Sequence, residues 1–319
     1  MRELLLTGAG GYLGAHLAGH LAGAGWRVTA QCRTAPPAGH AWRDAVADVV
    51  TGDVRDAALY DALARRRFDA IVHLVSLDHH QSGGAPETVA AVNLLPVWRL
   101  VEGLPADHVP RLVYLSTIHV YGRIPPERIS EGRPPTPGTP YGLTHWLSEE
   151  VVRFATRRGR VEGVNLRLSN GYGSPVFPGN ACWSLVINDL CRTVVREGEI
   201  RLLSDGSPQR DFIHVNDVCR AVGAVLSAER LPGDTVHVAS GKTHTILELA
   251  RRVQAVWAAR TGREAPIRLP EGVAESGDGM APRYTIDVSR LETLGALPAL
   301  DLEAGISELF DYLEGEGSA

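Results

Sequence analysis

The stretch Thr7-Gly8-Ala9-Gly10-Gly11-Tyr12-Leu13-Gly14 constrains this chain more than any other feature. Before it, Leu4 to Thr7 is a short apolar run that reads as a strand. After it, Leu13, Leu17 and Leu21 mark one face of a helix that ends near Gly23 and Gly25. Strand, glycine turn and helix in that order let a backbone turn sharply and bring a pyrophosphate to the helix N-terminus. The spacing is Gly8-x-x-Gly11-x-x-Gly14, not GxGxxG, because position 13 is leucine. A glycine motif alone is weak, and its plain alternative is a tight turn with no ligand; the flanking strand and helix favour the dinucleotide reading.

The same alternation continues through the first half of the chain. Arg27 to Arg33, Val46 to Thr51, Phe68 to Val75, Arg111 to Ser116 and Val164 to Leu168 read as strands. Ala57 to Arg66, a long helix Pro86 to Gly103, and Tyr141 to Arg157 read as helices between them. Such βαβ units predict an α/β fold with a Rossmann-type, doubly wound parallel sheet. Residues 1–170 are expected to form this dinucleotide-binding domain. Prolines and glycines then cluster, and residues 171–319 are expected to form a smaller substrate-binding lobe, with a segment of about 210–238 returning to the first domain. The tail from Gly315 to Ala319 reads as frayed.

Composition narrows the chemistry. The net charge is −5, which lacks the positive excess of a general nucleic-acid binder. Lys242 is the only lysine among 32 Lys plus Arg, so a catalytic lysine has one candidate. Four scattered cysteines with no CxxC pair suggest neither a disulfide framework nor a zinc site, and suit a reducing cytoplasm. The first residues carry too short an apolar run for a signal peptide, and no stretch has the length of a membrane span.

The end of the second strand reads cofactor choice. NAD enzymes usually place Asp or Glu there to hold the adenosine ribose. This chain has Cys32 and then Arg33. A guanidinium with no competing carboxylate matches a 2′-phosphate, so NADP(H) is expected over NAD(H). The alternative is that Arg33 is an ordinary surface arginine. Asp53, beside Val54 after the third strand, is placed to accept from an adenine amino group.

Four further motifs follow in order: Leu115-Ser116-Thr117-Ile118-His119-Val120-Tyr121-Gly122, then Tyr141-Gly142-Leu143-Thr144-His145, Arg167-Leu168-Ser169-Asn170, and Arg210-Asp211-Phe212 running to Asp217. With the glycine loop and a late Arg283-Tyr284-Thr285-Ile286-Asp287 segment, they resemble the extended short-chain dehydrogenase/reductase family, in its nucleotide-sugar epimerase, dehydratase and reductase branch. The likeness spans nearly the whole chain. It implies that Gly8, Gly11 and Gly14, with Tyr12, Leu13, Asp53, Val54, Val75 and Asn93, serve the cofactor. It implies that Thr117 bonds the substrate oxygen and that Tyr141 exchanges a proton with it. Ser76, Asn170, Arg210 and Arg283 are then substrate residues, the last three for the diphosphate of a nucleotide-sugar. The family commonly dimerises through helices beside its tyrosine, so a homodimer is expected. No metal is expected.

One position departs from the resemblance. The family motif is Tyr-x-x-x-Lys, and here it is Tyr141-x-x-x-His145. The family lysine binds the nicotinamide ribose and lowers the tyrosine pKa. A unit charge at about 4–5 Å, with an effective dielectric near 20, is worth roughly 4 kcal/mol, or about 3 pKa units. Three readings stay open. His145 replaces the lysine in both jobs, only partly charged at neutral pH and with a neutral ring still able to bond the ribose. The proton takes another route through His119, His79 or His80. Or acid/base catalysis is lost. Lys242, in a turn far along the chain, reads as a surface residue.

Arg33 points to NADPH and so to net reduction. Dehydratases of the branch place an Asp-Glu pair beside the Ser/Thr, where this chain has Ile118 and His119. The expected reaction is reduction of a keto group, at C4, on a nucleotide-linked deoxysugar, as in the 4-ketoreductases of secondary-metabolite pathways. The alternatives are a nucleotide-sugar 4-epimerase with bound NAD, and a catalytically silent NADP(H)-binding sensor.

Overall fold

A computed structural model describes residues 2–37, 39–274 and 282–316. The chain begins β1 (Arg2–Thr7), α1 (Tyr12–Gly23), β2 (Trp26–Cys32), α2 (Ala41–Ala45), β3 (Asp48–Thr51), α3 (Ala57–Ala64) and β4 (Ala70–His73). It continues with α4 (Pro86–Asn93), α5 (Leu95–Gly103), β5 (Arg111–Thr117), β6 (Arg128–Ile129), α6 (Pro140–Arg157), β7 (Glu162–Leu168) and β8 (Asn170–Tyr172). The second half holds α7 (Val186–Glu197), β9 (Ile200–Arg201), β10 (Gln209–His214), α8 (Val215–Ser227), β11 (Thr235–Val238), β12 (Thr243–Thr245) and α9 (Ile246–Thr261). It closes with β13 (Ile267–Arg268), β14 (Thr285–Ile286), α10 (Ser289–Thr293) and α11 (Leu302–Glu316).

Seven parallel strands form the main sheet in the order β11-β7-β5-β4-β1-β2-β3. Both faces are covered, which is why the strands read as unbroken apolar runs. Leu4 and Leu6 pack on one side with Leu17, Leu21 and Val222, from α1 and α8. Leu5 points the other way, to Tyr60, Leu100 and Val152 from α3, α5 and α6. Strand order reverses between β1 and β4, and the crevice at their C-terminal ends is where an open α/β sheet binds its ligand. No helix among the described residues is long and apolar enough to cross a membrane.

Three readings need correction. The helix expected from Pro86 to Gly103 is two helices, broken at Leu94. Pro96 has no N–H for the carbonyl of Val92, and its ring crowds that carbonyl. The segment from Arg210 re-enters the main sheet region only from Val215. Its first residues form β10, which lies between β8 and β12 in a separate three-stranded sheet. The tail is helical through Glu316, while residues 317–319 lie outside the described residues.

The second half also has an apolar core of its own. Ile187, Cys191, Leu249, Val253, Leu309 and Phe310, from α7, α9 and α11, meet there.

Candidate active site

The glycine loop closes tightly over the end of β1. Gly8 sits at φ +74°, and the Gly11 N–H bonds the Gly8 carbonyl at 3.0 Å. A Cβ on Gly14 would lie 2.1 Å from the Gly8 oxygen, so no other residue fits there. Val75 packs beneath Gly8, and Leu13 packs into the core. α1 starts at Gly11 with no side-chain cap, so its first N–H groups have no side-chain acceptor. Tyr12 donates to the Gly173 carbonyl and Asn180 to the Gly10 carbonyl, which ties residues 173–180 to the loop.

At the end of β2, Cys32 is buried against Gly10, and burial pushes its thiol up to about 11. It therefore carries no charge at neutral pH. Arg33 is exposed beside it. Asp53 is held by Arg55 through both carboxylate oxygens, at 2.8 and 2.7 Å. Those bonds bring its carboxyl down to about 2, and the charge of Arg33 acts in the same direction. Val54 is buried. This corner thus gathers two guanidiniums around one carboxylate.

The expected catalytic residues converge. Gly142, in the first turn of α6, lies so close to the turn after β5 that a Cβ would sit 2.4 Å from the His119 oxygen. That approach sets Tyr141 beside Thr117, whose hydroxyl favours ionisation of the phenol. Thr117 also accepts from the His119 N–H at 3.2 Å. The rings of His119 and His79 face Tyr141 at 5.8 and 6.1 Å between centroids. One helical turn below, the His145 ring meets Tyr141 edge to face at 4.6 Å.

His145 is 3 % exposed, and neither ring nitrogen is free. Nε2 lies 3.0 Å from Ser76 Oγ and Nδ1 lies 2.9 Å from the Tyr114 hydroxyl. Burial pulls its pKa down to about 4, against the opposing charge of Glu149. Glu149 does little to restore it, because two bonds from Arg167 (2.9 and 2.7 Å), one from Arg153 and one from Ser116 already engage that carboxylate. Burial thus leaves the imidazole uncharged at neutral pH, which favours the neutral-ring form of the lysine substitution over the charged one. Tyr141, lacking a cation, is pushed up by burial to about 12 despite the opposing influence of Thr117.

The remaining expected residues divide. Asn93 is 0 % exposed, with its amide turned to protein partners rather than to the cofactor cleft. It positions the site instead, accepting from the Leu77 N–H at 2.8 Å and donating to Thr144 at 2.9 Å. Arg210 is exposed in a cavity of about 540 Å³ with His119, Arg123, Gln209 and Tyr284. There its charge, after burial, holds the His119 pKa down at about 4. Asn170 donates to the Asp211 carbonyl, on the strand that carries Arg210. Arg283 is not brought to the cavity as a free cation, since its guanidinium bonds Glu248 and the Thr243 carbonyl. Lys242 is exposed in the turn before β12. His79 and His80 are neighbours, and among the described residues no cluster of three His, Cys, Asp or Glu side chains could hold a metal.

Residues 4–257 match the profile of the NAD dependent epimerase/dehydratase family. The chain belongs to this family. Over 321 residues it is 27 % identical to a dTDP-glucose 4,6-dehydratase of Actinoplanes sp., covering 96 % of each chain. It is 28 % identical over 315 residues to a dTDP-6-deoxy-L-talose 4-dehydrogenase (NAD(P)(+)) of Kitasatospora kifunensis, covering 97 % of this chain and 94 % of the other. Among solved structures, MoeE5 in complex with UDP-glucose and NAD is 27 % identical, with a TM-score of 0.80 over 98 % of this chain and 99 % of the other. A UDP-glucose 4-epimerase of Thermotoga maritima, 21 % identical with a TM-score of 0.81 over 98 % of this chain and 99 % of the other, shares the fold.

The geometry of the glycine cradle suits a dinucleotide. The Gly14 position admits no side chain, and the uncapped start of α1 offers N–H groups to a pyrophosphate. Sequence reasoning missed Tyr114, Arg55 and Arg123. Tyr114 gives no local signal, because its partner His145 is 31 positions away. Arg55 lies two residues after Asp53 and could have been suspected from that spacing.

Proposed function

We propose that this enzyme reduces a keto group, at C4, of a nucleotide-linked deoxysugar, with NADPH as reductant. The observation that carries the reading is Tyr141, buried beside a neutral His145 and pushed up to about 12. At neutral pH its resting form is the proton donor. An epimerase or dehydratase starts by oxidising a sugar hydroxyl, a step in which Tyr141 must accept rather than donate the proton. Ile118 and His119, in place of an Asp-Glu pair, also speak against dehydration.

When bound, the nicotinamide dinucleotide would supply a hydride, the electron pair and the hydrogen that go to the keto carbon. Gly8, Gly11 and Gly14 would hold its pyrophosphate, and Arg33 with Arg55 its 2′-phosphate. Thr117 and Tyr141 hydrogen-bond the substrate carbonyl oxygen. As negative charge develops there, Tyr141 gives up its phenolic proton to that oxygen. His145 keeps a neutral ring against Tyr141 and excludes water from its lower face. Arg210, in the cavity beyond His119, takes the diphosphate. The relative that acts on dTDP-6-deoxy-L-talose and the UDP-glucose complex of MoeE5 support a nucleotide-sugar substrate. Exposed Leu95 and Trp98 on α5, with Leu143, Leu147 and Phe154 on α6, support a homodimer through these helices.

The test is incubation with NADPH and a panel of dTDP-4-keto-6-deoxysugars. The reading expects one reduced cofactor consumed per sugar reduced. Sugar interconversion with no net change in bound NAD would replace it with epimerisation. Cofactor binding with no turnover of any sugar would leave a silent NADP(H)-binding protein.

A further inference from the structure

Tyr114 lies in the middle of β5, 1 % exposed, with its ring stacked on His73 at 6.0 Å and 20°. Its hydroxyl meets His145 Nδ1 at 2.9 Å. On the far side of the imidazole, Nε2 meets Ser76 Oγ at 3.0 Å, and Ser76 Oγ lies 2.8 Å from the Leu77 carbonyl. Proton counting sets the direction of this series. A carbonyl only accepts, so the single Ser76 proton goes to Leu77. The Ser76 oxygen then faces His145 as an acceptor, and Nε2 must carry the proton. That leaves a lone pair on Nδ1, buried and in need of a donor. The Tyr114 O–H is the donor within reach.

We propose that Tyr114 is a positioning residue that donates to the Nδ1 lone pair of His145 and, with Ser76, holds it as the Nε2–H tautomer, in a one-way chain from Tyr114 through His145 and Ser76 to the Leu77 carbonyl. The far end is anchored by backbone. The Leu77 N–H bonds Asn93 Oδ1, and Asn93 reaches Thr144, the residue before His145. The loop after β4, α4 and α6 are thereby closed into one ring around the imidazole. No other group competes for Nδ1. Tyr141 and Glu149 face His145 from α6, His119 from the turn after β5, and His73 stands behind Tyr114. The Glu149 carboxylate is already engaged by Arg167, Arg153 and Ser116. The site thus holds a directed neutral donor where the family motif has a cation. This deepens the reductase reading and depends on it only for the kinetic consequence.

The experiment is nitrogen NMR of the ¹⁵N-labelled protein, with the His145 signals identified by their loss in His145→Gln. The wild type should show the Nε2–H tautomer, unchanged from about pH 5.5 to 8.5. In Tyr114→Phe the Nδ1 donor is gone while the Ser76 oxygen still accepts from Nε2–H, so the tautomer should stay Nε2–H and the Nδ1 signal should move toward that of an unbonded ring nitrogen. Reduction should then lose kcat about five-fold with the sugar KM unchanged. Ser76→Ala keeps the Tyr114 donor and should keep the Nε2–H tautomer. A wild-type ring that is Nδ1–H, or protonated at neutral pH, overturns the proposal, as does an Nδ1 signal that is unaltered in Tyr114→Phe. If Tyr114→Phe does not fold, the wild-type spectrum decides. The tautomer is read without any substrate, so failure of the reductase reading leaves this result intact.

Discussion

The rings of Tyr141 and His145 meet edge to face with centroids 4.6 Å apart, one helical turn along α6. The contact puts a neutral imidazole where a cation would lower the phenol's pKa. Oxidation of the alcohol product needs the phenolate, whose population grows tenfold with each pH unit below about 12. Initial rates of oxidation with NADP⁺ should therefore rise about tenfold per unit from roughly pH 7 to 9.5, with no plateau. A plateau near neutral pH would mean that Tyr141 ionises more easily than its surroundings allow.

His145→Lys restores the missing charge. At about 4–5 Å it should lower the Tyr141 pKa by about 3 units and bring a plateau into the oxidation profile near pH 9. Both directions should quicken together, about 30-fold at neutral pH, because the equilibrium constant of the reaction cannot change. An unaltered profile would show that position 145 does not act on Tyr141 through charge.

Arg33→Ala should weaken NADPH binding about ten-fold or more while changing NADH binding little, since it removes one charge-assisted bond to a 2′-phosphate. Titration of both cofactors checks this. Equal losses for both would make Arg33 a general surface charge.

Gly14→Ala places a methyl group 2.1 Å from the Gly8 carbonyl oxygen. The loop must open, at a cost of about 1–3 kcal/mol in stability. Dinucleotide binding should be lost with it. Thermal melting with and without cofactor separates the two effects.

Much of this was legible in the chain. The glycine loop announces itself because strand, turn and helix are consecutive. Thr117 and Tyr141 stand in recognisable local motifs. The state of His145 was not legible, because Ser76 and Tyr114 are 69 and 31 positions away and meet it only across the sheet. Arg283 could not be sorted from Arg210 either. Their difference is the ion pair to Glu248, made by folding. The break before Pro96 was readable, since a proline that close to a helix centre removes a bond wherever it sits.

Acid should destabilise the fold in a definite window. Burial lowers the pKa of His73 to about 3 and of His145 to about 4. The unfolded chain binds these protons near pH 6.5 and the folded one does not, so stability is full above about 6.5 and falls as pH drops toward the folded values. Over that range His73 contributes about 5 kcal/mol and His145 about 3 kcal/mol. Tm measured from about pH 7 to 4.5 should fall steadily, and His145→Gln should make the fall shallower.

The most direct test of the whole account is the pH dependence of keto-sugar reduction itself at saturating NADPH. With His145 neutral and Tyr141 protonated throughout, kcat should be flat from about pH 5.5 to 9 in the wild type, and Tyr141→Phe should lower it by about 10²–10⁴. A fall in kcat through an apparent pKa near 6.5 that disappears in His145→Gln would show a charged imidazole at work. That result would contradict the account.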